Sequence, residues 1–119
     1  MDILKRLASC AALTLAAGFA SAHPGLVSSS PKAGELLDVA PRTIRLSFNE
    51  PVEPSFTTVK VTDPSGRELP VQPAQADGGN SRSVALPLTA ATPGTYKADW
   101  SALGRDGHRM KGEFSFTVK

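Results

Sequence analysis

The sequence runs to 119 residues, one domain at most, with 13 Lys and Arg against 11 Asp and Glu and a formal charge of +2. That balance argues against nucleic acid and against strong electrostatic adhesion to membranes. The single cysteine, Cys10, lies in an N-terminal leader, so the remaining domain has no disulfide, thiolate metal site or cysteine nucleophile.

Residues 1–22 read as a signal peptide. Lys5 and Arg6 supply the positive start, residues 7–20 are apolar, and Ala20 and Ala22 are the small residues that cleavage requires. The apolar run is about 14 residues, too short to span a hydrocarbon core of roughly 30 Å. Leu7-Ala8-Ser9-Cys10 has the look of a lipoprotein box, but most of the apolar run follows the cysteine, which argues against lipidation. Cleavage after Ala22 leaves residues 23–119 as one domain beginning His23-Pro24. Asp2, Lys5 and Arg6 leave with the leader, so the domain keeps 11 basic and 10 acidic residues. Packing alone must hold it together, which is feasible but marginal at this size.

From Pro24 onward, prolines and glycines punctuate short apolar stretches, and no segment keeps a helical period over three turns. Alternation predicts strands instead. An N-terminal strand falls around residues 26–30. In residues 42–48, Ile44, Leu46 and Phe48 point one way and Arg45 and Ser47 the other. Residues 57–62 repeat the pattern through Val59 and Val61, and Asp63-Pro64-Ser65-Gly66 turns the chain. Residues 67–71 form a weaker strand that Pro70 places at an edge. Residues 74–81, with Asp77-Gly78-Gly79-Asn80, read as a polar loop. Alternation returns through Val84, Leu86 and Leu88, then through Tyr96, Ala98 and Trp100, the two aromatics being core residues. The last strand, residues 113–119, buries Phe114, Phe116 and Val118. The result is an all-β fold of about seven antiparallel strands in a sandwich.

Most catalytic constellations are hard to assemble. His108 is the one internal histidine, and there is no Gly-x-Ser-x-Gly elbow, phosphate loop, dinucleotide fingerprint or zinc cysteine cluster. Glu50 and Glu53 are paired carboxylates without an aromatic sugar platform, and Glu53 reads as a solvated strand-end charge. Metal chemistry is better supplied. An N-terminal His23 offers its α-amine and Nδ1, His108 an imidazole nitrogen and Asp106 a carboxylate. Three nitrogens and one oxygen suit copper(II), which tops the divalent series for nitrogen ligands. An α-amine of pKa about 7.7–8.0 gives up its proton cheaply to a competing metal. Pro24 has no amide hydrogen, which closes the route through a deprotonated second amide. Asp106 and His108, two positions apart, share a side if the segment is extended, and Gly107 lets a loop turn tightly. Taken singly, Asp106-Gly107 is an ordinary turn and His108 a solvated loop residue. The metal reading rests on both histidines of the domain lying at candidate sites.

An ordered set of landmarks carries a family resemblance. They are His23-Pro24, Leu26-Val27-Ser28-Ser29-Ser30-Pro31 with Gly34, and Leu46-Ser47-Phe48-Asn49-Glu50-Pro51-Val52. Pro93-Gly94-Thr95-Tyr96-Lys97-Ala98-Asp99-Trp100, Asp106-Gly107-His108 and Gly112-x-Phe114-x-Phe116-x-Val118 follow. Over essentially all of residues 23–119 the chain resembles the CopC family of small periplasmic copper-resistance proteins. The resemblance implies a Greek-key sandwich or barrel, immunoglobulin-like or cupredoxin-like. It implies a copper(II) site of His23, Asp106 and His108, with Glu50 near the metal as a weak ligand or as a partner of the ligands. It also implies a monomeric, non-enzymatic periplasmic protein for copper sequestration, resistance or delivery, with a CopD-like membrane copper transporter as partner. One departure is plain. Some relatives carry a methionine-rich loop for copper(I), whereas residues 62–81 here contain no methionine, and Met110 is the one methionine of the domain. Met110 reads as a half-exposed apolar residue beside the site, and a copper(I) site is not expected.

Two other classes compete. A copper-brace oxidative enzyme would use the same amine and imidazole, but it needs a flat aromatic face, and Asp106 stands where an open position would help to bind oxygen. A metal-independent immunoglobulin-like interaction module fits the strand pattern equally well.

Overall fold

The computed structural model describes residues 25–89 and 91–119. The signal peptide, residues 1–22, and His23 lie outside the described residues. The strands are β1 (Leu26–Ser30), β2 (Glu35–Leu37), β3 (Thr43–Phe48), β4 (Thr58–Thr62), β5 (Glu68–Leu69), β6 (Gln75–Asp77), β7 (Asn80–Pro87), β8 (Gly94–Leu103) and β9 (Arg109–Val118). A 3-10 turn, Pro54–Phe56, precedes β4. One sheet has the order β1-β3-β7-β6 and the other β2-β9-β8-β4-β5.

The two sheets exist because alternate residues of each strand have nowhere else to go. On β3, Ile44, Leu46 and Phe48 are buried. On the other face, Arg45 Nη1 reaches Asp77 Oδ1 at 2.8 Å, and the hydroxyls of Ser47 and Ser83 share a hydrogen bond of 2.9 Å. Opposite them, Val59, Val61, Tyr96, Ala98, Trp100, Phe114, Phe116 and Val118 fill the space between the sheets. Phe48 meets Trp100 edge-on, with ring centroids 5.5 Å apart and an interplanar angle of 65°. Tyr96 stacks on its cross-strand partner Phe116, and its hydroxyl donates to Thr92 O at 2.6 Å, so the buried phenol costs no unpaired donor. Each such aliphatic or aromatic burial stabilises the fold by about 1.5–3 kcal/mol.

The expected strands of alternating residues are present, and the differences lie at the edges. The segment expected as a polar loop, residues 74–81, is instead a hairpin. There β6 runs against β7, and Gly78 and Gly79 take φ of 65° and 79° at the turn. Its outward side chains leave no apolar face for alternation to reveal, and backbone pairing with the Arg45–Asp77 contact defines it. β2 adds a short strand that lies parallel to β9, from Glu35↔Phe116 to Leu37↔Val118. The architecture is thus nine strands among the described residues, one pair of them parallel. The weak strand before Pro70 is reduced to Glu68–Leu69 at the sheet edge.

β8 and β9 form the longest hairpin, paired from Gly94↔Val118 to Leu103↔Arg109. Its connecting loop, residues 104–108, emerges at the end of the sandwich where β3 runs out at Phe48.

Candidate metal centre

Two loops build the site. In the first, Gly104 N donates to His108 O at 2.8 Å, and Gly107 N donates back to Gly104 O at 2.9 Å. Gly107 turns the chain with φ of 91°, a value that L side chains rarely adopt. His108 N donates to Asp106 Oδ1 at 3.0 Å. Of the two local arrangements the sequence allows, an extended segment and a loop turning tightly at Gly107, the chain takes the second. A tight turn brings them together, and the Asp106 carboxylate closes it.

The second loop follows β3. Val52 is fully buried and bridges to Gly104. Arg105 N donates to Pro51 O at 3.1 Å, Glu53 N to Leu103 O at 2.9 Å, and Val52 N to Ser81 O at 3.0 Å. An apolar side chain sunk into the core thus pins the segment that carries Glu50. Glu50 Oε2 lies 3.1 Å from His108 Nδ1. One ligand atom from each of Glu50, Asp106 and His108 falls within 4.8 Å of the others. The cluster is open to solvent, with the His108 side chain 54% and the Glu50 side chain 25% exposed.

The donor set fits a divalent transition metal. Bonds of roughly 2.0–2.2 Å, as for nitrogen and oxygen ligands on zinc, keep two donors on one ion within about 4.4 Å of each other. The 4.8 Å spread of the three lies close to that limit, and Glu50, in contact with His108 Nδ1, stands either as a donor or as the partner that orients the imidazole. One imidazole and two carboxylates suit first-row divalent ions rather than a soft monovalent one.

Of the residues singled out from sequence, Asp106 and His108 come together, and Glu50 joins them in direct contact with His108. His23 lies outside the described residues. Gly25, two positions later, accepts a hydrogen bond from Asn49 N at 2.8 Å, next to Glu50. Glu53 is taken by Arg105, whose Nε is 3.5 Å from its Oε1, and stays out of the cluster. Met110 corrects another expectation. It is buried, 3% exposed, because β9 begins at Arg109 and the next position faces inward. Its sulfur packs beneath Gly25, where a Cβ would overlap it. Sequence reasoning missed Gly104, which lies under both carboxylates: a Cβ there would overlap Glu50 Oε1 and sit 2.9 Å from Asp106 Oδ1.

The family model described as the CopC domain matches residues 26–119. Protein YobA of Escherichia coli (strain K12) is 35% identical over 99 residues, which span 82% of this chain and 80% of that protein. Copper resistance protein C of Pseudomonas syringae pv. tomato is 37% identical over 115 residues, 92% of this chain and 90% of its own. The crystal structure of CopC from Methylosinus trichosporium OB3b matches with a TM-score of 0.75 at 28% identity, covering 82% of this chain and 94% of that one.

Proposed function

The chain belongs to the CopC family, and on that premise we propose that it is a periplasmic copper(II)-binding protein that sequesters the ion or passes it to a membrane copper transporter. The observation that carries this reading is the convergence of Glu50, Asp106 and His108 from two separate loops to within 4.8 Å. Relatives named for copper resistance supply the identity of the ion.

His23 completes the site in this reading. It stands two residues before Gly25, and two residues reach at most about 7 Å. Gly25 accepts a hydrogen bond from Asn49, the neighbour of Glu50, and this supports a His23 within reach of the cluster. Removal of residues 1–22 then turns the nitrogen of His23 from an amide into an amine. Amine and imidazole of one residue close a chelate ring, Asp106 and His108 add a carboxylate and a second imidazole, and copper(II) accepts that set in a tetragonal plane. The protein binds one copper(II) per monomer and acts as a carrier rather than a catalyst.

The test compares the processed protein, starting at His23, with a form that retains Ala22. Copper titration followed by visible absorption and EPR should give one tight copper(II) in the first and a weaker, spectrally different one in the second. Equal affinity and equal spectra would refute an N-terminal ligand.

A further inference from the structure

At Gly104, space rather than backbone conformation demands a glycine. It is absent from the glycines with positive φ, so an alanine would adopt its backbone without strain. Its backbone is held on both sides by the bonds to His108 O and from Gly107 N. What the missing side chain provides is room. A Cβ would overlap Glu50 Oε1, lie 3.1 Å from Glu50 Cδ, and lie 2.9 Å from Asp106 Oδ1.

The two carboxylates would not yield equally. Asp106 Oδ1 is tied to His108 N and closes the turn. Glu50 sits at the end of a longer, more flexible side chain, and its described polar partner is His108 Nδ1. A methyl group at position 104 would therefore displace the Glu50 carboxylate most, while Asp106 Oδ1, at 2.9 Å, need give only slightly within its bond to His108 N. We propose that Gly104 is a positioning residue of the metal site: its bare Cα is the seat that lets Glu50 stand beside Asp106 and hold the His108 imidazole. Whether Glu50 takes part in binding is thus decided at position 104.

This inference rests on the copper(II) reading above. The experiment measures copper(II) affinity and EPR spectra for Gly104→Ala, Glu50→Gln and the double variant, each exported from the full precursor and checked by mass for a start at His23. A partner that orients a ligating histidine contributes about 10–100-fold in affinity. Gly104→Ala and Glu50→Gln should each lose that much, and the double variant should lose no more than either alone. The EPR spectrum of Gly104→Ala should shift in the direction of the Glu50→Gln spectrum, while thermal unfolding without metal stays at or above that of the unaltered protein. Wild-type affinity in Gly104→Ala, or losses that multiply in the double variant, would overturn the proposal. His108→Ala separates the two levels: if it too binds copper(II) normally, the copper reading itself fails.

Discussion

His108 Nδ1 lies 3.1 Å from Glu50 Oε2, although 58 positions separate the two residues in sequence. An ionised carboxylate can only accept, so a neutral imidazole in this contact carries its proton on Nδ1 and presents the lone pair of Nε2. A metal on Nε2 would then be held by a histidine whose tautomer the carboxylate fixes and whose basicity it raises. In the proposed site, His108→Ala would remove the ligand as well as its orientation. Its loss of copper(II) affinity should exceed the upper end of the roughly 10–100-fold expected for an orienting partner. Competition titration against a chelator of known affinity measures the difference.

Gly25 and Met110 make a second close pair. Gly25 has φ of 93°, and a Cβ there would overlap the Met110 sulfur. Gly34 has a comparable φ of 79° but open space around it. Gly25→Ala therefore meets a conformational cost and a steric one, whereas Gly34→Ala meets the first alone. Backbone strain and overpacking each cost of order 1–3 kcal/mol. Urea denaturation should place Gly25→Ala below Gly34→Ala, with the gap giving the steric part.

Much of this fold is legible because burial recurs every second residue. Ile44, Leu46 and Phe48, and again Tyr96, Ala98 and Trp100, face inward at alternate positions, and all six are buried. What alternation cannot carry is pairing without an apolar face. β6, with its exposed Gln75 and Ala76, and the short β2 are held through backbone pairing and are too brief to leave a period to read. Met110 escapes the pattern for a related reason: its strand starts at Arg109, ahead of the clear alternation of Phe114, Phe116 and Val118. In the site, Asp106 and His108 stand out as rare residue types at close spacing. Glu50 was suggested by family resemblance, because its approach to His108 is made by the Val52–Gly104 bridge. Gly104 carries no sequence signal, since its role is the space it leaves.

Asp63 sets an expectation for acid stability at the opposite loop. Its carboxylate accepts from the Ser65 hydroxyl at 2.7 Å and from the backbone N–H groups of Ser65 and Arg67 at 2.8 Å each. The Ser65 hydroxyl is the largest cause, followed by the Arg67 amide, of a pKa held below the ordinary value of 3.8. A depressed carboxylate pKa adds stability that is fully present above the unfolded value and is lost as pH falls through 3.8 toward the folded-state pKa. Asp63→Ala should therefore unfold earlier than the parent at neutral pH, and the two melting curves should converge as the pH drops below 3.8. A difference that stayed constant with pH would remove Asp63 ionisation as its cause.

Metal should also be visible in the stability of the whole domain. In the proposed site, copper(II) on Asp106, His108 and the processed His23 would join ligands from two separate parts of the chain, which the folded sandwich would have to bring together. Any ligand bound by the native state alone stabilises it by RT ln(1 + [L]/Kd), about 2.7 kcal/mol at a free concentration of 100 Kd. For a domain of this size, 1 kcal/mol moves the melting temperature by about 4–8 °C, so saturating copper(II) should raise it by roughly 10–20 °C. A chelator should restore the metal-free value. The form retaining Ala22 lacks the free amine at His23 and should gain distinctly less at the same free copper(II). Equal gains in the two forms would place the bound ion on Glu50, Asp106 and His108 without the chain terminus. Differential scanning calorimetry at buffered free copper(II) reads both shifts directly.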